Sequence, residues 1–269
     1  MTLNEKKQLQ IAACKIRMGI VESTYHAKCG HPGGSLSATE MFTYLYFKEM
    51  NIDPAQPKKA DRDRFVLSKG HTAPGLYSTL ANRGFFPVED LKTLRRIDSY
   101  LQGHPNMNTV PGVDMSTGSL GQGVSVAAGM ALAAKHKGES CRVYTLLGDG
   151  EIQEGQCWEA FMLAAHYDLD NLCVIIDNNG LQIDGSVADV MSPYPIVEKL
   201  ASFGFNPVAI DGHDFDQIEA AMESAKTTKG KCISYMENQA SWHGKAPNDA
   251  EYTQAMTELN ALMAELEAN

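Results

Sequence analysis

The chain has 269 residues, 43% of them hydrophobic and 21% charged, a composition that excludes intrinsic disorder and supports a large core without disulfide or metal staples. A formal charge of −10 argues against nucleic acid or an anionic membrane as the main partner, and any bound phosphate must be neutralised locally. Six cysteines (14, 29, 141, 157, 173 and 232) lack a C-x-x-C pair, the start MTLNEKKQLQ has no signal-peptide core, and the apolar run Val124–Ala134 is too short to span a bilayer, so free buried thiols and a cytoplasmic location are expected.

In chain order, apolar residues at helical spacing (Leu9, Ala12, Ala13, Ile16, Ile20) predict one long helix from Asn4 to about Lys28, stopped by Gly30, Pro32, Gly33 and Gly34. A helix over about 37–49 follows, then a strand at Phe65–Leu67 and helices over 74–83 and 88–97. Residues 103–123 are rich in Gly, Pro, Asn and Thr; a loop that long inside a compact domain is usually functional. Beyond it the pattern is regular. A Gly/Ala-rich helix (about 122–137) precedes a strand (Val143–Leu147), a helix (about 156–167) and a strand (Leu172–Ile176). Then come a helix (about 194–203), a strand (Pro207–Ile210), a helix (about 214–227), a strand (Lys231–Met236) and a final helix (about 248–268). Strands alternating with helices predict an α/β fold, a doubly wound and mainly parallel sheet covered on both faces, with the 269 residues forming one domain.

Ligands of such sheets bind beyond the carboxyl ends of the strands. There the sequence places Gly148-Asp149-Gly150 and Asp177-Asn178-Asn179-Gly180, with 27 residues between Gly150 and Asn178, about one crossover. Alone, Asp-Gly and Asn-Gly read as tight turns. GDGEIQEG is not a G-x-G-x-x-G dinucleotide loop, and a carboxylate inside such a loop would repel a diphosphate. A divalent cation between Asp149 and the diphosphate removes that repulsion. Magnesium takes one or two protein carboxylates and fills its octahedron with phosphate oxygens and water. Asp149 with the amide oxygen of Asn179 suits it; calcium or manganese are alternatives.

Six blocks extend this pattern in order: CGHPGGSLS (29–37), DRDRFVLSKGH (61–71), GHPN (103–106), STGSLGQG (116–123), GDGEIQEGQCWEA (148–160) and DNNGLQIDG (177–185). Together they resemble the N-terminal, diphosphate-binding part of the transketolases, thiamine diphosphate enzymes. The resemblance implies that Asp149, Asn179 and the Leu181 carbonyl ligate the metal, and that Gly148 and Gly150 let the chain approach the diphosphate. It places Gly118, Ser119 and Leu120 along the cofactor, and Glu154 at a dimer contact linked to the activating glutamate. Ser119 stands where the family commonly has proline, and Gly180 where a larger residue is common.

Four of the eight histidines, His31, His71, His104 and His243, lie beside glycines in loops. The resemblance implies that they line the substrate channel, bind sugar hydroxyls and move protons near neutral pH, with His71 and His243 also touching the cofactor. A zinc cluster lacks the short ligand spacing. His26, His136, His166 and His213 read as structural, Trp158 and Phe161 as core, and Glu151 as a first-turn charge favourable to the helix dipole.

The family's pyrimidine-binding half, with its activating glutamate and phosphate-binding basic residues, has no counterpart before Asn269. A split transketolase is therefore expected: an N-terminal subunit that transfers a two-carbon ketol unit from a ketose or ketose phosphate to an aldose only with a C-terminal partner, in an α₂β₂ assembly of the pentose phosphate type. The alternatives are the α chain of a 2-oxo-acid dehydrogenase, disfavoured by CGHPGG and SKGH; a deoxyxylulose-phosphate synthase, which normally carries its domains on one chain; and a non-catalytic thiamine diphosphate-binding module.

Overall fold

The computed structural model describes residues 1–220, 224–226, 235–236, 242 and 245–268. Helix α1 (Leu3–Ala27) opens with a capping box: the Thr2 hydroxyl accepts the Glu5 N–H at 3.2 Å, and the Glu5 carboxylate accepts the Thr2 N–H at 2.7 Å. It stops at Lys28, which takes a left-handed conformation. The glycine-rich segment after it holds a short helix: with Pro32 pre-set for a first helical position, α2 forms over Pro32–Ser37. The helix expected over 37–49 is interrupted at Ala38, runs as α3 (Thr39–Tyr44) and widens into a π turn over Leu45–Glu49.

Strand β1 (Arg64–Leu67) is followed by α4 (Ala73–Arg83). The helix expected over 88–97 is only a 3₁₀ segment, Val88–Thr93, ending where Arg95 and Asp98 adopt positive φ. Then come α5 (Gln122–Lys137), β2 (Val143–Gly148), α6 (Gly155–His166) and β3 (Leu172–Asp177). A two-stranded hairpin, β4 (Leu181–Gln182) and β5 (Gly185–Ser186), leads into α7 (Val187–Met191) and α8 (Ile196–Ser202). Strand β6 (Ala209–Asp211) and α9 (Phe215–Ala220) follow.

The helix expected to continue to 227 gives way to strand β7 (Ser224–Lys226), whose backbone pairs with β3 and β6; that pairing overrides the local helical pattern. Of the strand expected at 231–236, residues 231–234 lie outside the described residues, and Tyr235 and Met236 are in a turn. Helix α10 (Asp249–Ala268) packs along α1, burying Ala255 and Leu259 against Ile16 and Ile20.

The main sheet is parallel, in the order β1-β2-β3-β7-β6. Alternate side chains serve opposite faces. Phe65, Leu67, Tyr144, Leu146, Cys173 and Ile175 meet Met41, Phe42, Leu76 and Leu80 on one side. Val66, Val143, Leu147, Val174 and Ile176 meet α5, α6 and α8 on the other. Both faces are covered, the α/β arrangement expected. No described helix is long and apolar enough to cross a membrane. None of the described cysteines forms a disulfide; four are buried and Cys29 is half-buried.

The long loop before α5 is tied to β1. Asp114 pairs with Arg62 and accepts the Phe65 N–H at 2.8 Å, and the Thr117 hydroxyl donates to the Leu67 carbonyl at 2.6 Å. Its far end is equally constrained, since a methyl group at Gly123 would stand 2.6 Å from the Ser68 Cα. The start of α5 therefore presses on the turn after β1. Phe161, 0% exposed, anchors the second face against Trp158 and Phe205. Phe161→Ala is expected to destabilise the fold by about 3–5 kcal/mol, read as a lower denaturant midpoint; a change under about 1 kcal/mol would contradict this packing.

Candidate active site

The turns after β1, β2 and β3 lie side by side because the three strands are adjacent and in register: Leu67 faces Leu146, and Gly148 faces Asp177. Each turn carries an acidic or basic group with almost no exposure: Lys69 2%, Asp149 1%, Glu151 2% and Asp177 1%. Burying charge is costly unless it is paired and hydrogen-bonded. The three carboxylates meet that cost differently.

Asp177 is fully partnered. Lys69 forms an ion pair with it, the Ser37 hydroxyl donates to it at 2.7 Å, and the Asn179 side-chain N–H donates at 3.1 Å. Lys69 also reaches the Gly34 carbonyl at 3.4 Å. This pair joins the turns after β1 and β3 to helix α2.

Glu151 is held by donors. The Ser68 hydroxyl donates at 2.5 Å, the Gly121 N–H at 3.0 Å and the Gly148 N–H at 3.1 Å. It opens a 3₁₀ turn, Glu151–Gln153, and is enclosed. Beyond the first-turn charge expected from sequence, its carboxylate joins three segments. Burial, the largest influence, raises its pKa against the lowering effect of those donors.

Asp149 accepts the Gly180 N–H at 2.6 Å and the Gly150 N–H at 2.9 Å. Burial first, then the Asp177 carboxylate, push its pKa up to about 6 against those donors. It is a buried carboxylate short of positive charge. Asn179 lies next to it: its amide nitrogen points to Asp177, so its oxygen faces the other way, where it accepts the Leu181 N–H at 3.0 Å. Gly180, at φ +74°, makes the turn that brings its own N–H to Asp149.

Asp149 and the Asn179 amide oxygen, on neighbouring turns joined by the Gly180 N–H, are oxygen groups of the kind a hard divalent cation takes, with a single acid that leaves positions for phosphate and water. Among the described residues no three His, Cys, Asp or Glu side chains cluster as a metal site, so a thiolate or imidazole centre has no support there. Tyr194, unanticipated from sequence, donates to the Asn178 side chain at 2.8 Å and also hydrogen-bonds the Asp149 carboxylate; burial and that carboxylate raise the tyrosine's pKa.

Three of the four singled-out histidines meet around the same turns. The rings of His31 and His71 pack edge to face with centroids 5.1 Å apart. A methyl group at Gly70 would stand 2.8 Å from the Gly118 nitrogen, and one at Gly118 would stand 3.2 Å from the His104 ring. The blocks SKGH and STGSLG therefore touch at Gly70 and Gly118, and GHPN meets Gly118 through the His104 ring. Partial desolvation, then the Arg95 guanidinium, lower the pKa of His104 and favour its neutral form. The Tyr77 hydroxyl holds the His104 carbonyl at 2.9 Å. His243 lies outside the described residues. Ser119 and Leu120 are exposed beside a cleft of about 280 Å³ lined by Ser116, Thr117, Gly118, Ser119 and Gln122. Glu154 is also exposed, with its Cβ 3.0 Å from where a Gly121 side chain would begin.

A larger cavity, about 650 Å³, includes Arg142 and Leu172 at the amino-terminal ends of the strands, away from this cluster. Sequence reasoning missed Ser37, Lys69, Glu151 and Asp177 as site-forming residues. The available signal for the last three was a charged residue at, or within three residues of, the carboxyl end of an apolar strand.

Comparison with known proteins identifies the family. Residues 8–239 match the family described as "Transketolase, thiamine diphosphate binding domain". One of the subunits of the apulose-4-phosphate transketolase of Phocaeicola vulgatus is 41% identical, covering 96% of each chain. The 6-deoxy-6-sulfo-D-fructose transketolase subunit SqwG of a Clostridium species is 43% identical over 93% of this chain and 96% of that relative. Human transketolase is 40% identical, but its match covers 88% of this chain and only 40% of the relative. Among solved structures, transketolase from Campylobacter jejuni superposes with a TM-score of 0.89 at 30% identity, over 99% of this chain and 46% of that one. The chain belongs to the transketolase family, in its thiamine diphosphate-binding part. This separates it from the 2-oxo-acid dehydrogenases, which share the GDG and NN turns.

Lys69 neutralises a fully buried carboxylate, so Lys69→Met leaves Asp177 with its hydroxyl and amide donors alone. A destabilisation of about 3–5 kcal/mol in chemical denaturation is expected, and a neutral result would contradict the role assigned to the pair.

Proposed function

We propose that this member of the transketolase family is the N-terminal subunit of a two-chain transketolase. In this reading its 269 residues form one diphosphate-binding domain, and a separate C-terminal subunit contributes the pyrimidine-binding half in an α₂β₂ enzyme of the cytoplasm. The observation that carries the reading is the buried Asp149 carboxylate, short of positive charge, beside an oriented Asn179 amide. The names of the two similar subunits support a partner chain, because both belong to transketolases divided into subunits.

Asp149, the Asn179 side chain and the Leu181 carbonyl would hold magnesium, or calcium or manganese in its place, and through it the diphosphate. Gly148 and Gly150 leave room for that approach, and Gly118, Ser119 and Leu120 line the cofactor. Glu154 faces the partner. Bound thiamine diphosphate supplies the carbanion stabilisation that lets a ketose carbon–carbon bond break. This chain's contribution is to orient the sugar and handle its protons. His31, His71 and His104, with His243, bind the donor's hydroxyls, and a neutral imidazole accepts a hydroxyl proton as the bond breaks and returns one to the acceptor. A His104 whose neutral form is favoured suits the accepting role. The substrates are a ketose or ketose phosphate donor, of the pentose phosphate type or a less common sugar, and an aldose acceptor.

Co-purification with the partner chain, followed by a two-carbon transfer assay over a panel of ketoses and ketose phosphates, tests this function. The pair should transfer the ketol unit and this chain alone should not; robust transfer by the isolated chain would refute the divided active site. Asp149→Ala should reduce magnesium-supported thiamine diphosphate binding at least a hundredfold by calorimetry, of the order expected when a charged ligand is lost from a buried site. Native affinity in that variant would remove the metal assignment.

A further inference from the structure

Glu151 occupies a position that neither the metal nor the histidines explain. Its carboxylate is 2% exposed, and three hydrogen bonds reach it from three separate stretches of chain. Ser68 begins the turn that carries Lys69 and His71. Gly121 closes the Gly118–Leu120 turn, and Gly148 begins the turn that carries Asp149. Gly121 has φ +81°, and its N–H points inward to the carboxylate as α5 begins. A solvated charge serving the dipole of α6 would need no such enclosure, and Glu151 precedes that helix by a full 3₁₀ turn.

We propose that Glu151 is a positioning residue for the diphosphate site, its carboxylate setting the mutual placement of the turns after β1, β2 and the long loop through Ser68, Gly121 and Gly148. The inference rests on the reading that this site takes thiamine diphosphate. All three partners donate, so both carboxylate oxygens must accept. Glutamine has nearly the same shape but only one accepting oxygen. Whichever way its amide is turned, its NH₂ faces the Gly148 N–H or the Gly121 N–H, because only the Ser68 hydroxyl can reverse its role. One backbone donor is then left without an acceptor, and its turn must shift. Asp149 lies one residue beyond Gly148, and Leu120 one residue before Gly121, so either shift reaches groups proposed to face the cofactor.

The test compares wild type, Glu151→Gln and Ser68→Ala as full chains with the partner subunit, using thiamine diphosphate and magnesium as the probe. For Glu151→Gln, the calorimetric Kd and the KM for thiamine diphosphate should both rise about tenfold, as for one buried donor left unpaired. At saturating cofactor, kcat should stay within about threefold of wild type, a split that a general loss of fold does not produce. Ser68→Ala keeps both backbone donors and should weaken binding only about threefold, which supplies the measurement if the glutamine variant does not fold. Wild-type Kd and KM in Glu151→Gln, or in Ser68→Ala where that variant alone folds, would overturn the proposal while leaving the cofactor reading intact. Failure of wild type to bind thiamine diphosphate would instead overturn the reading beneath it.

Discussion

The structure depends on burying three carboxylates at the adjacent ends of β2 and β3, beside the turn after β1. An isolated buried carboxylate is strongly disfavoured, and each of these has a different remedy. Asp177 has a lysine, Glu151 has three hydrogen-bond donors, and Asp149 has two backbone N–H groups, the Tyr194 hydroxyl and no ion-pair partner within hydrogen-bonding reach among the described residues. Asp177 and Glu151 lock turns together, whereas Asp149, its pKa raised to about 6, is the acid that the proposed cation would neutralise.

The same constraint gathers the rest of the cluster. Lys69 must reach Asp177, so the turn after β1 folds toward β3 and carries His71 to His31. Glu151 draws Gly121 inward, and the Asp114 and Thr117 contacts fasten the long loop to β1. His104 then arrives against Gly118. Histidines more than thirty residues apart in the chain thus share one neighbourhood. Glycine neighbours matter here chiefly as absent side chains, since the blocks touch where a methyl group would already be too close.

Much of this was legible in the sequence, for identifiable reasons. The regular α/β half announces itself because strands buried on both faces read as continuous apolar runs, so β2 and β3 fall within a residue of their expected ends. The GDG and DNNG turns were readable as neighbouring strand-end turns from their placement after those strands. The irregular half was less legible. Pro32 starts a helix where glycines suggested a stop, and the segment at 88–97 shortens into a 3₁₀ turn. Those outcomes depend on packing against α1 and α4, which local pattern does not encode. Glu151 and Lys69 were under-read for a related reason. A charged residue in a turn looks solvated until tertiary structure covers it.

The central claim is that Asp149 and Asn179 bind thiamine diphosphate by way of a divalent cation. The most direct measurement is calorimetric titration of thiamine diphosphate into the full chain with its partner subunit, once with excess magnesium and once with the metal stripped by chelator. The account predicts saturable binding with magnesium and none measurable without it. Equal affinity under both conditions, or no binding under either, would contradict it.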